Sequence, residues 1–161
     1  MKIGILSDSH GRQHTVQAAL ALLRERGVRV ILHCGDIDDA DTVRLFAGFE
    51  PHFVFGNCDH DREELEEAMT AIGATSHGAW GMLEREGCKV AWTHGDDQGL
   101  LDDLRRRGQF QFVFYGHTHQ AAESETGPTR VVNPGALHRA RPKTFVVLDL
   151  ATGELESVVV E

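Results

Sequence analysis

The chain has 161 residues, 41% hydrophobic and 25% charged, with 16 Lys and Arg against 25 Asp and Glu for a formal net charge of −9. That is the length and composition of one globular domain, without the ~20-residue apolar run of a membrane span, and its acid excess opposes the phosphate neutralisation that long nucleic acid demands. Three cysteines with no Cys-x-x-Cys spacing exclude a disulfide framework and fit a reducing cytoplasm, whereas ten histidines are many for an acidic chain.

The first half alternates short apolar runs with helical patterns. Ile3 to Leu6 reads as a buried strand that turns polar at Ser7-Asp8, too early for the core of a secretion signal. His14 to Arg26 sets Val16, Ala19, Leu20 and Leu23 on one helical face and stops at Gly27. Val28 to Leu32 is a second strand, Asp41 to Phe49 a short helix and His52 to Phe55 a third strand. A helix over Asp61 to Ile72 follows, with acids in its first turn and Gly73 after its last. Strands alternating with helices imply βαβ units and a parallel sheet.

The second half is richer in strands. Trp80 to Glu84 and Cys88 to Trp92 flank Arg85-Glu86-Gly87 as a hairpin, Leu100 to Arg107 forms a helix behind Asp96 and Asp97, and Phe110 to Tyr115 is an apolar strand. Gly127-Pro128 and Thr152-Gly153 mark two more turns, the second closing a hairpin of Phe145 to Leu150 with Leu155 to Val160. With no linker or repeat, residues 1–161 read as a single domain: a four-layer α/β/β/α sandwich, two mixed sheets face to face with helices outside.

The same chemistry follows strand after strand. Ile3-Gly4-Ile5-Leu6 leads to Ser7-Asp8-Ser9-His10, Val30-Ile31-Leu32 to His33-Cys34-Gly35-Asp36, and Phe53-Val54-Phe55 to Gly56-Asn57-Cys58-Asp59. Val90-Ala91-Trp92 leads to Thr93-His94-Gly95-Asp96, and Phe112-Val113-Phe114-Tyr115 to Gly116-His117-Thr118-His119. Ligand crevices of α/β sheets lie beyond the carboxyl ends of strands, where these clusters would meet. Carboxylate, amide and imidazole donors suit Mn, Fe, Zn, Ni or Co, and their number exceeds what one ion takes. Two ions sharing a bridging carboxylate, the arrangement that supports in-line displacement at phosphorus, account for the surplus.

In these blocks the chain resembles the calcineurin-like metallophosphoesterases. Asp8-x-His10, Gly35-Asp36, Gly56-Asn57-x-Asp59, His94-Gly95 and Gly116-His117-x-His119 follow that family's order, and Asn133-Pro134-Gly135 with the short length looks like its small YfcE-type phosphodiesterase branch. The resemblance implies two divalent ions, foremost Mn. Asp8, His10, Asp36 and His119 would hold one; Asp36, Asn57, His94 and His117 would hold the other, with a bridging hydroxide as nucleophile. It implies hydrolysis of small phosphodiesters or nucleotides, and assembly as a homo-oligomer would be in keeping with the branch.

One position departs from the wider pattern. Where many members have a histidine after Gly-Asn, thought to protonate the leaving group, this chain has Cys58, followed by Asp59 and His60. Cys58 reads as a neighbour of the ligands rather than a nucleophile, Asp59 as a carboxylate that orients a ligand, and His60 as either a substrate contact or a surface residue. Thr129 to Lys143 carries Arg130, Arg139, Arg141 and Lys143 and no acid, a local reversal of charge that reads either as a solvated loop or as a phosphate-contacting segment with Asn133, Arg139 and Arg141 as substrate contacts. His14, His33, His52, His77 and His138 lie outside the blocks and read as structural or exposed. Two rivals share the residues: a phosphomonoesterase or short-strand nuclease at the same site, and an interaction scaffold like the retromer subunit that resembles this family.

Overall fold

A computed structural model describes residues 1–161. Strands β1 (Lys2–Leu6), β2 (Val30–His33), β3 (Glu50–Phe53) and β4 (Thr75–Ser76) run parallel, β10 (Thr144–Asp149) pairs antiparallel with β1 and β11 (Leu155–Val159) antiparallel with β10, in the order β11-β10-β1-β2-β3-β4. A second sheet has the order β5-β6-β7-β9-β8, built from β5 (Trp80–Arg85), β6 (Cys88–Thr93), β7 (Phe112–Phe114), β8 (Ala122–Thr126) and β9 (Thr129–Asn133). Its centre, β6-β7-β9, is parallel and its two edges are antiparallel. Both sheets are therefore mixed, as expected.

The alternation of side chains along each strand assigns the layers. Ile3, Ile5, Val30, Leu32, Val90, Trp92, Phe112 and Phe114 are buried together where the sheets face each other. The intervening Leu6 and Ile31 point the other way, into a core with Val16, Leu20 and Leu23 of α1 (Gln13–Glu25) and Leu65 and Met69 of α3 (Arg62–Ala71). Ala91 and Val113 likewise turn outward onto Leu101 and Leu104 of α4 (Gln98–Arg106). Central strands buried on both faces give continuous apolar runs rather than clean alternation, which is why Phe112 to Phe114 is so strong a signal.

The differences from expectation are local. The helix expected over Asp41 to Phe49 is α2 (Ala40–Arg44), capped by Asp39; beyond it Phe46, Ala47 and Phe49 bond back three residues and Gly48 takes a φ of +90°, so the chain tightens into turns. The third strand begins earlier than expected, at Glu50, and ends at Phe53, leaving Val54 and Phe55 to carry the chain into the loop. The short β4 has no sequence signal of its own; it exists because Thr75 and Ser76 meet the exposed edge of β3. No helix is long and apolar enough to cross a membrane.

Candidate metal centre

β1, β2 and β3 of one sheet and β6 and β7 of the other end at one side of the molecule, so all five donor-bearing loops converge there. The loops are sharply bent. Asp8, His10, Asp36, His117 and His119 all have φ between 43° and 69°, a left-handed backbone that costs a non-glycine residue about 1 kcal/mol or more. Two glycines allow the close approach: a Cβ at Gly56 would collide with the Asp36 carboxylate, and one at Gly116 with Ser7 Oγ and Asp8 Oδ2.

The donors form two groups. In the first, Asp8 Oδ1 lies 3.3 Å from His119 Nε2 and 3.8 Å from His10 Nε2, and the two histidine nitrogens are 3.3 Å apart. In the second, His94 Nε2 lies 3.2 Å from Asp36 Oδ2, 2.9 Å from Asn57 Oδ1 and 3.3 Å from His117 Nδ1. Asp36 belongs to both, because the same Oδ2 is 3.5 Å from His10 Nε2. Its other oxygen accepts the Cys58 backbone N–H at 2.8 Å, fixing the carboxylate in this bridging pose.

Hydrogen bonds on the far side of the rings decide which nitrogen is offered. His94 Nδ1 donates to the Cys34 carbonyl at 2.8 Å, and His119 Nδ1 donates to the His138 carbonyl at 2.7 Å. In both, Nε2 is the nitrogen turned to the cluster, where it can hold a proton or a metal ion. Asp8 is polarised in the same sense: Oδ2 accepts from Ser7 Oγ at 2.5 Å and the His117 N–H at 3.0 Å, whereas Oδ1 is buried with no hydrogen-bond partner. A buried carboxylate oxygen without a donor, facing two imidazole nitrogens, is a site made for a cation. The donor set and this orphaned oxygen fit divalent ions.

The electrostatics agree. Burial raises the Asp36 pKa, but the hydrogen bond and charge of His94 outweigh it and hold the carboxyl at about 2. Burial likewise opposes protonation of His94, yet the facing Asp36 carboxylate lifts it to about 9. Without a metal, a proton on His94 answers the negative field that a bound cation would answer.

The surrounding residues divide. Asp59 is buried and brackets two loops, accepting the backbone N–H groups of Asp36, Ile37, Asp38 and Gly56 at 2.8–2.9 Å. Burial raises its pKa against those four donors. The Cys58 thiol lies beside the first-group donors His10 and Asp36, but burial and the Asp36 charge push it up to about 11, so it is no thiolate. His60 is exposed and does not line the cleft over the donors.

That cleft, of about 500 Å³, is bordered by His10, Asn57, His117, His119, Arg12 and Arg139, among others. Arg139, one of the expected substrate contacts, borders this cleft. Asn133 does not: it is buried, its Nδ2 donating to the Gly116 carbonyl and Thr118 Oγ1 and its Oδ1 accepting the Gly135 N–H, so it braces the histidine loop instead of meeting substrate. Arg141 lies in an adjoining cleft. Three lining residues, Arg12, Asp38 and His138, lie outside the expected set. His138, set aside as structural or exposed, borders the cleft and holds His119 through its carbonyl, and its Nδ1 accepts from Arg12 Nε at 3.1 Å. Burial and the nearby arginines lower its pKa.

A calcineurin-like phosphoesterase superfamily domain matches residues 1–153 of the chain. Phosphodiesterase MJ0936 of Methanocaldococcus jannaschii is 28% identical over the whole of both chains, and phosphodiesterase YfcE of Escherichia coli K12 is 25% identical over 92% of this chain and 88% of its own. A solved structure of an archaeal phosphodiesterase superposes with a TM-score of 0.91 over 99% of each chain, at 28% identity.

Proposed function

We propose that this chain, which belongs to the calcineurin-like phosphoesterase superfamily, hydrolyses small phosphodiesters at a centre of two divalent ions. Membership makes it a metal-dependent phosphoesterase; the diester substrate and the pair of ions are our reading. One observation carries it: the two donor groups share a single carboxylate oxygen, Asp36 Oδ2, 3.5 Å from His10 Nε2 and 3.2 Å from His94 Nε2. In this reading Asp8, His10, Asp36 and His119 hold one ion, and Asp36, Asn57, His94 and His117 the other. Bound there, the ions would supply positive charge to the phosphoryl oxygens and make water a stronger acid.

The chain's own residues do the rest. The Cys34 and His138 carbonyls keep His94 and His119 in the tautomer that turns Nε2 inward. Asp59 holds the Asp36 and Asn57 loops at fixed spacing, and Arg139 and Arg12 offer guanidinium donors to a phosphodiester lying over the donors. No histidine stands where Cys58 does, and a thiol held near 11 is a poor proton donor at neutral pH, so diesters with acidic leaving groups suit the site best. The two named phosphodiesterases support the choice of a diester.

The test is a substrate panel after chelation and restoration with Mn²⁺. Aryl phosphodiester hydrolysis that disappears with chelator and returns with Mn²⁺ supports the reading, and Fe, Ni, Zn and Co restorations rank the metals. Release from phosphomonoesters alone would overturn the diester assignment, and bound metal without any turnover would favour an interaction scaffold.

A further inference from the structure

Next to the metal cleft lies a second one of about 560 Å³, bordered by Arg12, His138, Arg139, Arg141, Lys143 and Glu161. Arg12, His138 and Arg139 border both, so the two clefts adjoin. In a chain of net charge −9 this wall is basic. Its single acid, Glu161, is ion-paired with Lys143 at 3.1 Å, whereas Arg12, Arg139 and Arg141 form no ion pair in the structure. Arg12 spends only Nε, on His138, which leaves its two terminal amino groups free.

Backbone conformation singles out Arg139. Eight residues other than glycine have positive φ; five are the candidate ligands, Asp38 contacts His10, Glu86 turns the β5–β6 hairpin, and the eighth is Arg139 at 47°. Strain of this kind is kept where a side chain must be aimed. Three unpaired guanidinium groups around one cleft form a receptor for an oxyanion, and planar guanidinium forks suit the doubly charged terminal phosphate best.

Resting on the phosphodiesterase reading above, we propose that this second cleft binds a phosphate carried by the substrate itself. The preferred diesters would then bear a terminal phosphomonoester beside the scissile linkage, as a 5′-phosphorylated dinucleotide does. The metal centre cuts the internal diester while Arg12, Arg139 and Arg141 hold the terminal group, which sets the register of the substrate across the two adjoining clefts.

The experiment compares the Mn²⁺-restored chain on a 5′-phosphorylated diadenylate, on the same dinucleotide without that phosphate, and on an aryl diester. The expected kcat/KM preference for the phosphorylated dinucleotide is about tenfold or more, and in Arg141→Ala it falls to near one. Calorimetry of the phosphorylated dinucleotide on chelated protein reads the same cleft without turnover, and Arg141→Ala should weaken binding by a similar factor. Aryl diester cleavage with a preference near one, or a preference that survives Arg141→Ala, overturns the inference and leaves the phosphodiesterase reading standing. If no diester is cleaved, that reading fails and the calorimetry alone decides the cleft: equal binding by wild type and Arg141→Ala overturns it.

Discussion

The ends of β2 and β6 each carry a histidine buried to 1% exposure or less, His33 and His94, and the two behave in opposite ways. His33 is satisfied by neutral partners, Ser9 Oγ at 3.0 Å from Nε2 and the Gly35 N–H at 3.1 Å from Nδ1, and burial drives its pKa down to about 4. His94 spends Nδ1 on a carbonyl and turns Nε2 to a carboxylate; burial pulls it down as well, but Asp36 lifts it to about 9. Burial alone makes a histidine a neutral core residue. Burial beside a buried carboxylate makes it a place for a cation.

The substitution that breaks this contrast most severely is Asp36→Asn. It removes the oxygen shared by both donor groups, so both metal affinity and turnover should fall well beyond the 10–100-fold typical of losing an outer hydrogen-bond partner. The His94 pKa should drop from about 9 towards that of an ordinary buried histidine. Metal analysis and imidazole NMR titration read the two effects separately. Wild-type turnover in this variant would refute the shared-ligand assignment.

The two histidines also predict opposite pH limbs for the metal-free protein. His33 titrates near 4 when folded and near 6.5 when unfolded, so between those values only the unfolded chain takes up the proton. Its contribution is complete above pH 6.5 and is lost as pH falls to 4, about 3 kcal/mol for a shift of this size. His94, raised to about 9, stabilises fully below 6.5 and loses that contribution as pH rises through 9. Metal-free stability should therefore decline on both sides of pH 6.5. Mn²⁺ should abolish the alkaline decline, because the ion replaces the proton, and His33→Gln should flatten the acid one. Denaturation midpoints across pH 4 to 9 check both, and an alkaline limb unchanged by Mn²⁺ would contradict the comparison.

How much of this was legible beforehand depended on distance along the chain. The five donor clusters stood out because each follows an apolar run closely, so Asp8, Asp36, Asn57, His94 and His117 could be picked out before the sheets were known. What brings them together is pairing between distant strands, which leaves no local trace. His138 and Arg12 are 126 positions apart and each looks like an isolated surface residue until the hydrogen bond joins them. Asn133 misled for the opposite reason: its basic neighbours suggested a substrate contact, but the turn at Pro134-Gly135 folds its amide inward onto the backbone.

Asp59 shows the same limit, since its sequence position beside Asn57 hides four backbone partners. Asp59→Asn exchanges one acceptor oxygen for an amide that would face N–H donors it cannot accept. Stability should fall by about 2 kcal/mol and metal affinity by roughly tenfold, while the ligands themselves stay intact. Chemical denaturation with and without Mn²⁺ separates the two losses.

The smallest effect belongs to Cys58, and its smallness is informative. The thiol sits beside His10 and Asp36, so position alone would allow it to be a ligand or a nucleophile. Either role requires the thiolate, and burial next to the Asp36 carboxylate pushes its pKa to about 11, so at pH 7 almost none is ionised. The negative field that lifts His94 suppresses Cys58: one carboxylate recruits a cation and repels a second anion. What the site takes from residue 58 is its backbone N–H, donated to Asp36 Oδ1, and any side chain of similar size leaves that bond in place. Cys58→Ser should therefore change kcat/KM for an aryl diester by no more than about threefold, against tenfold or more for a lost catalytic group. The order of metals that restore activity should stay the same, because no soft ligand is removed. A hundredfold loss, or a shift of metal preference away from thiophilic ions, would make the thiolate a ligand and require a cation close enough to hold it ionised.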